Sequence, residues 1–454
     1  MIVALPLEPH AMVQLIPLAI TAGIELWFLR RLRFGWLVVS MVLAGLLVDW
    51  TYLGYTTINE RNYDTLSHVL YVDYLIEHLR LPPVDILCTA CGHPPLYYAV
   101  AALWSKAVLA GGWLPRELGL QWLSLLLSFG FVACALLLLR SFIEDARTFL
   151  LAAALVVFWP SSVLNSVRVH NDAMASVLGL AALYFLSKWD RRGERRDFRW
   201  ALLACALAIL TKATGYAMAA ALLLIAALRL RSPELRRETI RQGIVAVGVV
   251  LAAALLPVAM RGPSAPRTLC QRVLGGACFV PDGAFVTNGP INYLMFDVRD
   301  FLRDTSSMRH PPAQDYFWNG LAKSSLFGIM PLGKDFEGVQ YARLAVLLGV
   351  LLLAMVLVCV AAWPLVRPLD WLRYRAIVLG SVCLLTFLAA FRMAIPTPFH
   401  EDFRHVFPLL VPFCLVYAKS VERMGSRSAL LRSVGVGLGA LMIGASAAFF
   451  VRMP

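Results

Sequence analysis

Along the chain, long apolar runs alternate with short basic loops, and one polar, acid-bearing stretch interrupts them early, over residues 59–98. At helical spacing Glu60, Asp64, His68 and Tyr71 share one stripe, while Leu66, Leu70, Ile76 and Leu79 share another. That pattern predicts an amphipathic helix lying in a membrane interface. Pro82 and Pro83 are expected to stop it. A second apolar helix is expected after His93, Pro94 and Pro95, because proline suits a first helical turn.

The apolar runs set the expected spans. Residues 11–29 form the first, Arg30, Arg31 and Arg33 follow, and residues 35–54 form the second. No small-residue cleavage site separates these runs, so the first reads as a retained span, not a signal peptide. Basic loops over 140–147, 188–199 and 229–241 are assigned to the cytoplasm, which puts residues 59–98 on the external face, the periplasm in a bacterium. Residues 96–110 fall short of the roughly 20 a span needs. They read as a second interfacial helix, with the crossing at 120–139. Residues 200–228 lie between two cytoplasmic loops and must go out and return. Two legs of about fifteen residues rise only about 22 Å, less than a hydrocarbon core of about 30 Å. The apex, Thr211 to Gly215, is therefore expected to be sunk, and the Lys212 ammonium there needs an anion or water beside it.

Further spans are expected at 243–260, 344–363, 377–393, 406–420 and 431–451. The reading is an all-α polytopic membrane protein with about twelve transmembrane helices and both ends outside. It divides into an N-terminal transmembrane module (1–260) whose first external loop covers 55–118, a periplasmic loop region (261–341) and C-terminal helices (342–454). Composition agrees: 60% of residues are apolar, 15% are charged and mean hydropathy is +0.71. The net charge of +13 reports topology through the inner loops and implies no nucleic-acid partner.

Cys134, Cys205, Cys359, Cys383 and Cys414 fall within expected spans, leaving Cys88, Cys91, Cys270 and Cys278 on the oxidising side. Four cysteines allow three pairings. Cys270 with Cys278 is favoured over the tight Cys88–Cys91 spacing. A zinc site at Cys88, Cys91 and His93 would want a fourth ligand that the neighbouring sequence does not supply. In the outer loop region, residues 296–304 and 314–328 read as amphipathic helices, whose Phe317, Trp318 and Phe327 suit an aromatic belt or a lipid groove.

Three clusters and one lone cation carry the candidate chemistry: Asp64 with Glu60 and His68; Arg168 to Asp172; His400 to His405; and Lys212. Charges at span ends commonly do no more than solvate among headgroups. That account fits Lys212 least. Together the groups offer carboxylates that can act as general base on a hydroxyl, and cations that neutralise charge on a phosphate leaving group.

The stretches YDTLSHVLYVDYLIEHLRLPP, HPPLYYAVAAL, VHNDAMASVLGLAALYFL, LAILTKATGYAM and FRHVFPLLVPF resemble, in order, those of GT-C glycosyltransferases. The likeness is to the lipid-carrier-dependent branch that includes protein O-mannosyltransferases and the lipid A aminoarabinose transferase. It covers about residues 50–230 plus the Arg404 turn. The resemblance implies an inverting transfer of one sugar from a polyprenyl-phosphate donor to an acceptor hydroxyl on a glycan, lipid or protein. The bacterial inner membrane would house it, with the site on the periplasmic side. It implies Asp64 as base, Asp172 as second acid, and Lys212 and Arg404 as phosphate ligands, with His68, His93, Arg168 and His400 around the substrate. Many members carry Asp-Glu in the first loop, whereas here Thr65 follows Asp64, so Glu60 stays open as the alternative base. No cofactor is implied, and a divalent cation would require Asp64 and Asp172 within common coordination range. The rival readings are a periplasmic glycan polymerase or ligase using lipid-pyrophosphate donors, and a transporter. A transporter would be expected to show duplicated halves and polar residues at the midplane, which this chain does not.

Overall fold

The computed structural model describes residues 9–54, 56–58, 64–83, 88–111, 114–231, 236–261, 288–303, 316–328, 339–366, 370–396 and 398–451. Among these every regular element is helical. Glu60, Cys270 and Cys278 lie outside the described residues.

An antiparallel pair opens the chain, α1 (Pro9–Arg31) and α2 (Trp36–Gly54). The amphipathic segment forms α3 (Thr65–His78), which ends before the prolines because Leu79 turns into the left-handed region at φ 51°. His68 and Tyr71 face inward, whereas Leu66, Leu70 and Leu79 are exposed, as the two-stripe pattern requires. The segment expected to be a second interfacial helix forms α4 (Leu96–Gly111), an apolar helix of 16 residues, short of a span's length. Then come α5 (Arg116–Arg140), α6 (Ala146–Phe158) and α7 (Pro160–Ser166), the last two bent by 48° at Trp159, where Pro160 starts a new helix. Helix α8 (Asn171–Arg192) ends on Gly193 at φ 73°. The return hairpin is α9 (Arg195–Ile209) and α10 (Gly215–Arg229), 15 residues each, with Lys212 at the apex.

Beyond α11 (Arg236–Arg261), short helices α12 (Ile291–Leu294), α13 (Val298–Arg303) and α14 (Phe317–Phe327) lie in the region before the last four helices. The last four helices are α15 (Val339–Val366), α16 (Trp371–Ala394), α17 (Leu410–Gly425) and α18 (Ala429–Val451). Seven helical segments are long and apolar enough to cross a membrane, eight if the bent α6–α7 pair is one span. Helices α1 and α8, 23 and 22 residues long, have spanning length outside that set. Helix α8 is central, packing on α5, α9 and α16, while α17 packs on α6, α15 and α18.

Two expectations are refined. Cys88 and Cys91 are bonded, because the 3-10 turn Thr89–Gly92 brings the two sulfurs together, and the favoured Cys270–Cys278 pair lies outside the described residues; the zinc alternative loses both thiolates. Phe317 and Phe327 belong to the buried core, leaving Trp318 alone in an exposed position suited to a belt.

Candidate active site

Asp64 stands at the N-cap of α3, yet its side chain makes no capping bond. A carboxylate there would ordinarily accept from a first-turn amide. It instead meets Arg404, with Nη1 3.3 Å from Oδ1 and Nη2 3.4 Å from Oδ2. One turn along α3, His68 Nε2 lies 3.4 Å from Asp64 Oδ2, and its Nδ1 is 2.8 Å from the Tyr98 hydroxyl on α4. Tyr98 stacks on Tyr71 with ring centroids 3.7 Å apart. The pairing of His68 to both neighbours fixes its ring plane between acid and phenol.

Asp172 sits in the first turn of α8, where the helix end favours negative charge. It takes Lys212 Nζ at 2.5 Å and His405 Nδ1 at 3.4 Å, with Arg404 Nε at 3.7 Å and His170 Nδ1 at 3.6 Å. Lys212 Nζ is also 3.1 Å from His405 Nδ1. Two bonds hold the hairpin apex in place. Asn171 Nδ2 donates to Thr211 O at 3.2 Å, and the first amide of α4, Leu96 N, donates to Leu210 O at 3.0 Å. The sunk lysine is thus met by an anion, as its burial demands.

Arg404 and His405 come from a 3-10 segment, Phe403–Leu409, whose N-cap Asp402 accepts from the Arg404 amide at 3.1 Å. Asp402 Oδ2 lies 3.1 Å from Arg404 Nε. One guanidinium therefore serves three carboxylates, and Lys212 serves one of them. Burial would raise the Asp64 carboxyl, but Arg404 and His68 outweigh it and hold the group well below the ordinary carboxylate range. Asp64 is ionised and, at rest, a weak base.

The other expected residues divide. His93 stacks near His68 at 6.3 Å; burial, then Lys212 and His68, drives it well below the usual imidazole value, so it is neutral. Arg168 is buried beside Gly328, with Nε and Nη2 lacking hydrogen-bond partners among the described residues. It lies at the edge of the cluster, near Asp402 and Arg404. His400 is placed elsewhere, its Nδ1 2.7 Å from Ile395 O and its ring 3.9 Å from that of Phe391. Burial pushes it down to about 3. It supports the Arg404 turn without reaching the cluster.

Tyr98 and Arg261 were not singled out from sequence, and His405 was named only as part of the 400–405 cluster, without a role. His405 and Tyr98 are in the hydrogen-bond network itself. Arg261, the last residue of α11, donates to Cys91 O at 2.6 Å, His93 O at 2.8 Å and Pro82 O at 3.3 Å, and reaches the Tyr71 hydroxyl at 3.3 Å. It pins the turn that carries His93.

Among the described residues no group of three or more His, Cys, Asp or Glu is placed to hold a metal ion. The guanidinium of Arg404 reaches both Asp64 and Asp172. Two small cavities flank this pair, one against Ser128, Asn165 and His170, the other against Thr214, Met218 and His405.

Residues 92–260 match the family described as dolichyl-phosphate-mannose-protein mannosyltransferase. The match covers about a third of the chain. The matched segment holds His93, Arg168, Asp172 and Lys212; Asp64 and Arg404 lie on either side of it. No curated protein matches the chain. Similar solved structures include the archaeal oligosaccharyltransferase AglB from Archaeoglobus fulgidus in complex with an inhibitory peptide and a dolichol-phosphate. Its TM-score is 0.46 at 11% identity over 92% of this chain and 55% of that one. Another is the Archaeoglobus fulgidus oligosaccharyltransferase in complex with Zn and sulfate, with TM-score 0.49 and 13% identity over 91% and 52%. A third is ArnT from Cupriavidus metallidurans in the apo state, with TM-score 0.41 and 13% identity over 91% and 77%. The chain spans about half the length of the first two.

Proposed function

We propose that the chain is an inverting glycosyltransferase that moves one sugar from a polyprenyl-phosphate donor to an acceptor hydroxyl at the outer membrane face, periplasmic in a bacterium. The observation that carries this reading is the Asp64–Arg404 pair, an acid and a phosphate-type ligand meeting beside the Lys212–Asp172 pair. In the proposed step the acceptor oxygen attacks the anomeric carbon and passes its proton to Asp64. The bond from that carbon to the phosphate oxygen breaks, and Arg404 and Lys212 take up the negative charge left on the lipid phosphate.

The pair also gives the step an order. Arg404 suppresses the basicity of Asp64 while it is bound to it. The flanking cavities are water-sized, so an incoming phosphate must displace side chains. A phosphate that draws Arg404 toward itself frees Asp64 and raises its proton affinity, so the base gains strength when the donor is in place. His68 and Tyr98 keep the carboxylate oriented meanwhile. The lipid-carrier resemblance and the matched family support a monophosphate donor.

The test is transfer by the reconstituted full chain with polyprenyl-phosphate sugars, read by mass spectrometry. Asp64→Asn should lower turnover by about 10²–10⁴-fold with donor binding retained. Full turnover in that variant, or no binding of any polyprenyl phosphate by the wild type, overturns the reading.

A further inference from the structure

Away from the ion-pair cluster, the first helical pair carries two more acids, Glu25 buried and Asp49 half-buried. Glu25 on α1 and Asp49 on α2 line one cavity of about 20 Å³, closed by Gly45, Ser128 and Ser162 among others. That is room for about one water or a bare ion. Glu25 is 3% exposed, and its Oε2 has no hydrogen-bond partner among the described residues. No Lys, Arg or His lines the cavity. Two cations at neighbouring helix ends are engaged elsewhere: Arg30 Nη1 donates to Phe34 O at 3.1 Å, and Arg140 Nη1 to Leu32 O at 3.1 Å.

Asp49 has a hydrogen bond from Ser166, but a charged Glu25 with a second carboxylate on the same cavity and no cation costs several kcal/mol, so positive charge must reach the pair. The lining indicates its kind. Ser162 donates its hydroxyl proton to Val156 O at 2.7 Å, which leaves its oxygen as an acceptor. Carboxylate and hydroxyl oxygens suit a small hard cation, and two carboxylates balance one or two single charges. We propose that Glu25 and Asp49 form a monovalent-cation site within the membrane, filled by Na⁺ or by a proton held between the carboxyls. Ser128 lines both this cavity and the one bounded by His170, Asp172 and Arg404. The proposed site thus adjoins the candidate active site, and these three are the titratable groups facing it from the neighbouring cavity. It stands independently of the transferase reading, since its test involves no sugar transfer.

The experiment uses the full chain in nanodiscs at neutral pH. One arm follows thermal unfolding as NaCl replaces choline chloride at constant ionic strength. The other records the infrared carboxylic-acid C=O band and its shift in D₂O. A Na⁺ site gives saturable, Na⁺-specific stabilisation that Glu25→Gln and Asp49→Asn each abolish. A proton site gives no Na⁺ effect but a protonated-acid band that both substitutions diminish. Wild-type protein that shows neither Na⁺-specific stabilisation nor such a band overturns the proposal without recourse to a variant. A band or Na⁺ response that persists in both variants overturns it equally.

Discussion

Arg404 and Asp64 lie 340 positions apart and meet as a two-pronged pair, at 3.3 and 3.4 Å. The third nitrogen of the same guanidinium lies 3.1 Å from Asp402 and 3.7 Å from Asp172. A planar fork can address carboxylates on several sides at once, whereas an ammonium is a single point charge. Arg404→Lys is therefore expected to keep the charge and lose the arrangement, lowering kcat/KM by about tenfold or more, the scale of one lost charge-assisted bond. Transfer kinetics on the reconstituted chain check this; wild-type kinetics in the lysine variant would show that the fork is incidental.

Lys212 tests the buried half of the site. Removing one member of a buried pair leaves the other uncompensated, at about 3–5 kcal/mol. Lys212→Ala should cost that much in thermal unfolding, because Asp172 loses its 2.5 Å partner. The double variant Lys212→Met with Asp172→Asn removes both charges and should recover most of the stability while remaining inactive. Equal destabilisation in single and double variants would count against a coupled pair.

Much of this site was legible in the chain, and the reasons differ by residue. Loop-charge parity forced residues 200–228 into an out-and-back hairpin, and α9 and α10 have the fifteen-residue legs that this required. Asp64 stood out because acids are scarce in the first apolar third. His405 was named within the 400–405 cluster, but its role depends on local geometry: a 3-10 segment after Asp402 turns it and Arg404 together toward Asp172. Arg261 was hidden by distance, since side-chain bonds to carbonyls 168 to 179 positions away leave no trace in residue patterning. The Cys88–Cys91 bond depended on the turn over Thr89–Gly92, which spacing alone does not reveal.

Stability should fall on mild acidification because of neutral buried imidazoles. A histidine titrates near 6.5 when unfolded, and burial holds His93 well below its ordinary value in the fold. The unfolded chain then binds more protons through this window. The contribution is fully present above about pH 6.5 and is lost as pH drops toward the folded value. Asp64, also depressed, loses its contribution only below about pH 4. Unfolding temperature is expected to decrease from pH 7 to pH 5, with a shallower slope in His93→Gln. An unchanged slope in that variant would remove His93 from the account.

Gly320 gives a test of how α14 holds Arg404. It lies on α14, against the turn that leads into the Arg404 segment, and Glu401 occupies the space where a side chain would be. Glu401 pairs with Arg392, both fully buried. Ser324, one turn further along α14, donates to Glu401 O at 3.1 Å and accepts from the Phe403 amide at 2.9 Å. A methyl group at position 320 would overlap the Glu401 carboxylate, so the acid, its arginine partner and the following turn must shift. Gly320→Ala should cost about 1–3 kcal/mol as an overpacked site. It should also lower turnover beyond what the folded fraction explains, because Arg404 moves with the turn. Gly437→Ala is the control: nothing lies within 4 Å of the added carbon, and the change should stabilise α18 by up to about 1 kcal/mol. Thermal unfolding and turnover measured on both variants decide between a local clash and a displaced site, and a Gly320→Ala protein with wild-type turnover would separate α14 from the chemistry.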